Sequence, residues 1–128
     1  MKILLDTHIF LWLLSGDGRL SKKAGKIFLC EDNDLYISVV SLWEISIKIS
    51  LGKLKLADNW MAVIEDEMAI NLIKLLQIRK WHCYKIVDLP LHHRDPFDRM
   101  LIAQAMIENM SILTCDDQFY DYDIKSIC

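Results

Sequence analysis

Short continuous apolar runs that end in a polar residue alternate along this chain with longer stretches of helical period. Lys2 to Leu5 is such a run, and it delivers Asp6 at its carboxyl end, the pattern of a strand buried on both faces. Thr7 onward, through Phe10, Leu11, Trp12 and Leu14, reads as a helix that Ser15-Gly16-Asp17-Gly18 stops. Ser21 caps a second helix through Cys30, with Lys22, Lys23 and Lys26 on its solvated face. Leu35 to Val40 is a β-branched strand, and Ser41 begins a helix over Leu42 to Leu51 that Gly52 closes. Asp58 or Asn59 caps a helix through Met68, Ile70 to Leu75 reads as a strand, and Leu76 to Tyr84 as a short helix before an Ile86 to Pro90 connector. Asp95-Pro96 opens a helix that Asn109 closes. Ser111 to Thr114 is then a strand ending in Cys115-Asp116-Asp117, Gln118 to Tyr122 a turn or short helix, and Ile124 to Ile127 a last strand.

Strands alternating with helices predict a three-layer α/β/α fold with a mostly parallel central sheet, in which strand ends and helix starts share one rim. Asp6 and Asp116 fall at such strand ends, Asp98 in the first turn after Pro96, and Glu44 near the start of its own helix. Each acid also has a local reading. Asp6 and Asp95 are natural N-caps, and a carboxylate at Asp98 suits the positive end of a helix dipole. Glu44 and Lys48 are spaced for a surface ion pair. Two of these readings are incomplete. At about 100° per residue Asp98 projects from the face of Leu101, Ile102 and Ala105, where an unpaired charge is costly. Ser41, Glu44 and Lys48 form a narrow polar line between the bands Leu42, Ile45, Ile49 and Trp43, Ile47, Leu51, which points it into a cleft.

The 128 residues suffice for one domain, and no linker or repeat divides them. Apolar residues make up 53%, slightly above the usual share, which anticipates a partner covering apolar surface. Apolar stretches are interrupted by charge well short of the roughly 18 residues that a membrane span needs. No cleavable signal pattern follows Met1-Lys2. Cys30, Cys83, Cys115 and Cys128 have no metal-ligand spacing and read as reduced, mostly packed thiols of a cytoplasmic protein. Trp12, Trp43, Trp60 and Trp81 read as core or interface anchors. A net charge of −3 argues against holding nucleic acid by bulk attraction, although acids gathered around a divalent cation reverse their local sign.

Four carboxylates on one rim repel by several kcal/mol if bare, so they make sense with cations between them or with raised pKa values. All-oxygen ligation suits Mg²⁺ or Mn²⁺, and phosphodiester hydrolysis is the chemistry such a cluster serves most naturally. The segments LLDTHIFLW, SVVSLWEISIKISLGKL, LHHRDPFDRMLIAQA and ILTCDDQFYDY, in this order and covering nearly the whole chain, resemble PIN-domain ribonucleases of the VapC type, the toxins of prokaryotic toxin–antitoxin pairs. The resemblance implies a metal-dependent endoribonuclease whose acids correspond to Asp6, Glu44, Asp98 and Asp116, with Mg²⁺ or Mn²⁺ as cofactor. It also implies an RNA substrate, a homodimer and inhibition by a small antitoxin. Thr7 and Thr114 fall where such proteins support the acids, and Lys48 and Arg99 where a phosphate is met. Asp95 and Asp117 are placed in support as well, with Asp116 and Asp117 both eligible to touch metal. His8 departs from the family pattern, which carries Asn or Ser there. It reads as a hydrogen-bonded residue at a helix start, and His92 and His93 as loop residues near the rim.

Two other readings compete. An aspartate-nucleophile phosphohydrolase would use Asp6 at phosphorus, but that chemistry wants a second Asp two residues on, where this chain has His8. A non-catalytic α/β interaction module would require all four acids to be mere caps or surface pairs.

Overall fold

The strands β1 (Lys2–Leu5), β2 (Asp34–Ser38), β3 (Lys74–Leu76), β4 (Ser111–Leu113) and β5 (Ser126–Ile127) form one sheet in the order β3-β2-β1-β4-β5, in a computed structural model that describes residues 1–128. Every neighbouring pair is parallel. The helices α1 (Thr7–Ser15), α2 (Lys22–Leu29), α3 (Val39–Ser50), α4 (Trp60–Ile70), α5 (Lys80–Lys85) and α6 (Pro96–Glu108) connect the strands, with 3₁₀ turns at Ile86–Asp88 and Asp117–Asp121. The chain builds outward from β1 to β3, then returns to lay β4 on the other side of β1. That reversal opens a crevice between the carboxyl ends of β1 and β4, where open α/β sheets place their ligands.

Strand parity explains the three layers. Ile3 and Leu5 join Leu35 and Ile37 in a core shared with Ile9 and Phe10 of α1, Ala24 of α2, Ile45 of α3 and Ile64 of α4. Leu4 and Ile112 point the other way, into a second core with Leu101, Ile102 and Ala105 of α6 and with Phe119 and Tyr122. Side chains alternate across a strand, so β1 is apolar on both faces and enclosed from Ile3 to Leu5. Burial of Leu101, Ile102 and Ala105 bears out the face predicted for the helix after Pro96. Asn109 closes that helix in the left-handed region, with φ 55°.

Several expectations need correction. The Leu35 to Val40 strand stops at Ser38, and α3 starts at Val39 rather than after Ser41. Ser38 is the cap: its Oγ accepts from the Val40 N–H and donates to Gln104 Oε1 at 2.6 Å. This buried partner outweighs the β preference of Val39-Val40, and it moves Glu44 from the first turn into the second. The Ile70 to Leu75 strand shortens to Lys74–Leu76 because α4 continues through Ile70. There Asn71 turns its amide back to the Glu67 carbonyl, and Leu72 takes φ 54°, costly for a bulky residue. The short helix expected from Leu76 begins only at Lys80, and the last strand is reduced to Ser126–Ile127.

The cysteine reading also fails. Cys115 and Cys128 form a disulfide with Cα atoms 4.9 Å apart, and Cys30 and Cys83 are free and exposed rather than packed. Register explains the pair: Leu113 and Ile127 are partners in the β4–β5 ladder, so the residues just beyond each strand end meet. The cysteines therefore give no support to a cytoplasmic location. No helix is long and apolar enough to cross a membrane. Trp43 and Trp81 are exposed, not core, while Trp12 and Trp60 pack partly against the first core.

Candidate functional site

Asp6 follows the central strand directly. Its backbone stays extended, with φ −65° and ψ 148°, and its N–H bonds to Leu113 O at 3.0 Å, tying it to β4. Continued strand parity turns its side chain to the α6 side of the sheet, toward the helix start that carries Asp98. It caps α1 only by position, since no side-chain capping bond forms. Instead Oδ2 accepts from the Thr114 hydroxyl at 2.9 Å, while Oδ1 is buried without a partner. The Asp116 N–H donates to Thr114 Oγ1 at 3.1 Å, so Thr114 joins the two strand-end acids. Burial pushes the Asp6 carboxyl up, with Asp116 and Glu44 adding repulsion and Thr114 and His8 opposing it.

Glu44 projects from α3 and is only 3% exposed, so the polar line between two apolar bands does face inward. Its Oε2 meets Lys48 Nζ at 2.7 Å and its Oε1 is buried and unpaired. Lys48 is held above its ordinary pKa by this bond against partial burial, and so stays cationic. Thr7 supports the same corner: its hydroxyl donates to buried Ser41 Oγ at 2.8 Å, linking α1 to α3.

At α6 the two acids differ in their partners. Asp95 Oδ1 accepts from the N–H groups of Phe97 and Asp98 at 2.9 and 3.2 Å, which makes it the cap. Asp98 has its pKa raised from 3.8 to about 8, first by burial and then by repulsion from Asp95, Asp6, Glu44 and Asp116. Asp6, Glu44 and Asp116 thus each add to the repulsion that raises the Asp98 carboxyl. Asp117 contributes to neither Asp6 nor Asp98 and is exposed, whereas Asp116 is half-buried with Oδ1 capping Gln118 N–H at 3.0 Å. Geometry therefore favours Asp116 of the pair. A cavity of about 180 Å³ at the β1–β4 crevice is lined by Asp6, His8, Ile9, Trp12, Cys115 and Asp116. A larger hollow of about 630 Å³ lies beside Ser111, at the other end of β4, and holds none of the four acids.

No three His, Cys, Asp or Glu side chains are already drawn together as a metal cage. Bare like charges keep apart, and the fit to a cation rests on the donors: carboxylate oxygens only, two of them buried and unpaired at Asp6 and Glu44.

The Arg99 guanidinium donates to Pro90 O at 2.9 Å and to the Tyr122 hydroxyl at 3.1 Å, so it braces the protein itself. His93 lies in the loop before α6, as expected, with its side chain only 8% exposed and Nε2 at 3.4 Å from Asp98 Oδ2. Its partners lie in distant segments, and nothing local in the sequence marks them. Two buried polar ties were also missed: Ser38 with Gln104, and His82 with Glu108, which Arg79 also pairs.

The PIN domain family profile matches residues 3–125. The fold is similar to that of VapBC2 from Rickettsia felis bound to a DNA fragment from their promoter, with TM-score 0.77 and 15% identity over 98% of this chain and 97% of that one. It is also similar to VapBC-1 from nontypeable Haemophilus influenzae (0.69, 17%, 98% and 96%) and FitAcB from Neisseria gonorrhoeae (0.66, 16%, 98% and 96%). No curated protein sequence matches the chain. With an acidic crevice at the sheet's switch point and a profile match across almost its whole length, this chain belongs to the PIN-domain family.

Proposed function

We propose that this chain is a metal-dependent endoribonuclease, the VapC-type toxin of a toxin–antitoxin pair. PIN domains are generally nucleases and generally use divalent metal ions. The observation that carries the reading here is the shared field of Asp6, Glu44, Asp98 and Asp116, with two of their oxygens buried and unpaired. A structural role rewards partnered carboxylates, and an orphaned buried oxygen has no value to the fold.

The acids Asp6, Glu44, Asp98 and Asp116 would hold Mg²⁺ or Mn²⁺. Such an ion supplies a polarised water and neutralises charge on the scissile phosphate. The protein's own part is to keep that cluster rigid and incompletely paired. Thr114 fixes one oxygen of Asp6 and so presents the other. Lys48 holds one oxygen of Glu44 and keeps a positive charge at the cleft, where an RNA phosphate gains from it. Asp95 and Pro96 start α6 at a defined residue, which holds Asp98 in its first turn.

The antitoxin enters by the same reading, since similar folds occur in VapBC assemblies and in a toxin–antitoxin complex from Klebsiella pneumoniae. Exposed Trp43, Leu51, Met61, Ile70 and Leu72 offer apolar surface to an antitoxin or to a second copy in a homodimer. The test is incubation of the purified chain with total RNA and Mg²⁺ or Mn²⁺, with mapping of new ends. Discrete cuts that vanish in Asp6→Asn and Asp98→Asn support the proposal. Intact RNA, or cuts that survive both substitutions, refutes it.

A further inference from the structure

Beside Asp98, three side chains from separate segments are joined by hydrogen bonds: His93, Tyr122 and Arg99. Their hydrogen bonds determine where each proton lies. The buried Tyr122 oxygen accepts from Arg99 Nη1 at 3.1 Å and from the His93 backbone N–H at 3.4 Å. Arg99 has no acceptor to offer, so both of these bonds run toward the phenol oxygen. The phenol's own hydrogen is left for His93 Nδ1, at 2.9 Å. An Nδ1 that accepts has no hydrogen, and a neutral imidazole then carries it on Nε2.

That Nε2 is buried, has no hydrogen-bond partner, and points at Asp98 Oδ2 3.4 Å away. The ring is held on its flanks by Tyr122 and Phe119, with centroids 5.4 and 6.4 Å distant. Such enclosure leaves it little freedom to turn elsewhere. A buried donor left 3.4 Å from a carboxyl oxygen closes that gap with a small movement of either group, and gains a hydrogen bond when it does.

We propose that His93 is a positioning residue for Asp98, with Arg99 and Tyr122 fixing the tautomer that makes it a donor. The proposal rests on the reading that Asp98 belongs to the nuclease centre. His93 takes Oδ2 and leaves Oδ1 to the proposed centre. His93 does not line the crevice cavity. The line also gives the bonds of Arg99 within the protein a purpose.

Three measurements test it. Long-range nitrogen–proton NMR of the wild-type chain should show His93 with hydrogen on Nε2 and a bare Nδ1, and Tyr122→Phe should remove that preference. In RNA cleavage, His93→Ala should lower kcat about 10–100-fold with KM unchanged, the usual effect of losing an outer partner of a ligating group. His93→Gln, whose amide N–H reaches to the place of Nε2–H, should recover most of the rate. A purely structural role predicts no such rescue. An Nδ1–H tautomer in the wild type overturns the proposal, as does a His93→Ala protein cutting at the wild-type rate, or a Gln variant no better than Ala. A wild-type chain that cuts no RNA refutes the nuclease reading instead, and the nitrogen spectrum still decides the hydrogen-bond line.

Discussion

Replacing Asp98 by asparagine removes one charge from the rim and leaves the side chain's shape nearly unchanged. In the native protein Asp98 keeps its proton up to about 8 instead of 3.8, because burial strips water from the carboxylate and four neighbouring acids repel it. Between those values the folded protein holds a proton that the unfolded chain has released. Native stability therefore falls as pH rises through this window and levels off above it. Each tenfold change in proton affinity corresponds to about 1.4 kcal/mol, so a group wholly cut off from solvent would cost about 5–6 kcal/mol. Asp98 is not wholly cut off, with 14% of its side chain exposed, and screening reduces the expected penalty to about 2–3 kcal/mol. Losing a first-turn charge from α6 takes back about 0.3–1 kcal/mol. In urea denaturation with a chelator present, Asp98→Asn should thus equal or slightly trail the wild type at about pH 4. It should exceed the wild type by about 1–2 kcal/mol above about pH 8, while its RNA cleavage is abolished. A stability difference that does not change across this range, or a variant less stable at every pH, refutes the reasoning and makes the start of α6 the main business of Asp98.

Mn²⁺ should raise the melting temperature of the wild type in proportion to its binding and erase the pH dependence just described, whereas Asp6→Asn should show little response by scanning calorimetry. Asp95→Ala should lose about 1 kcal/mol in denaturant titration because two N–H groups at the start of α6 lose their acceptor, and Asp95→Asn should keep both fold and cleavage. Cys128→Ser opens a cross-link between residues 13 apart in sequence and should cost about 2–3 kcal/mol, matched by adding a thiol reductant to the wild type. A wild-type midpoint indifferent to reductant would show that the link contributes nothing in solution.

The legible parts of this molecule were those where adjacent residues settle the outcome. Asp95-Pro96 announced a helix start, and the spacing of Leu101, Ile102 and Ala105 announced its buried face. Lys2 to Leu5 announced a strand enclosed on both sides with an acid at its end. Where a distant partner decides, local pattern failed. Val39 and Val40 favour a strand, yet Ser38 with Gln104, 66 residues away, starts a helix there. Cys115 and Cys128 meet because two short strands share a register, and His93 finds Tyr122 and Asp98 through the fold. The four acids could be singled out despite their separation because each carries its own local anomaly, an acid at a strand end or on an apolar helix face.

The position of β1 at the centre of the sheet has a consequence for the order of assembly. Asp6 takes its orientation from the hydroxyl of Thr114, 108 residues further along the chain. The strand partner on that side, β4, comes after β1, β2 and β3 in sequence. Such far-separated parallel pairing also forms slowly, since a long loop must be closed before any contact compensates. A chain in which β4 has not yet docked therefore carries Asp6, Glu44 and Asp98 without Asp116 or the Thr114 hydroxyl. For a protein proposed to cut RNA, the fold's topology makes the proposed centre one of the last parts to assemble.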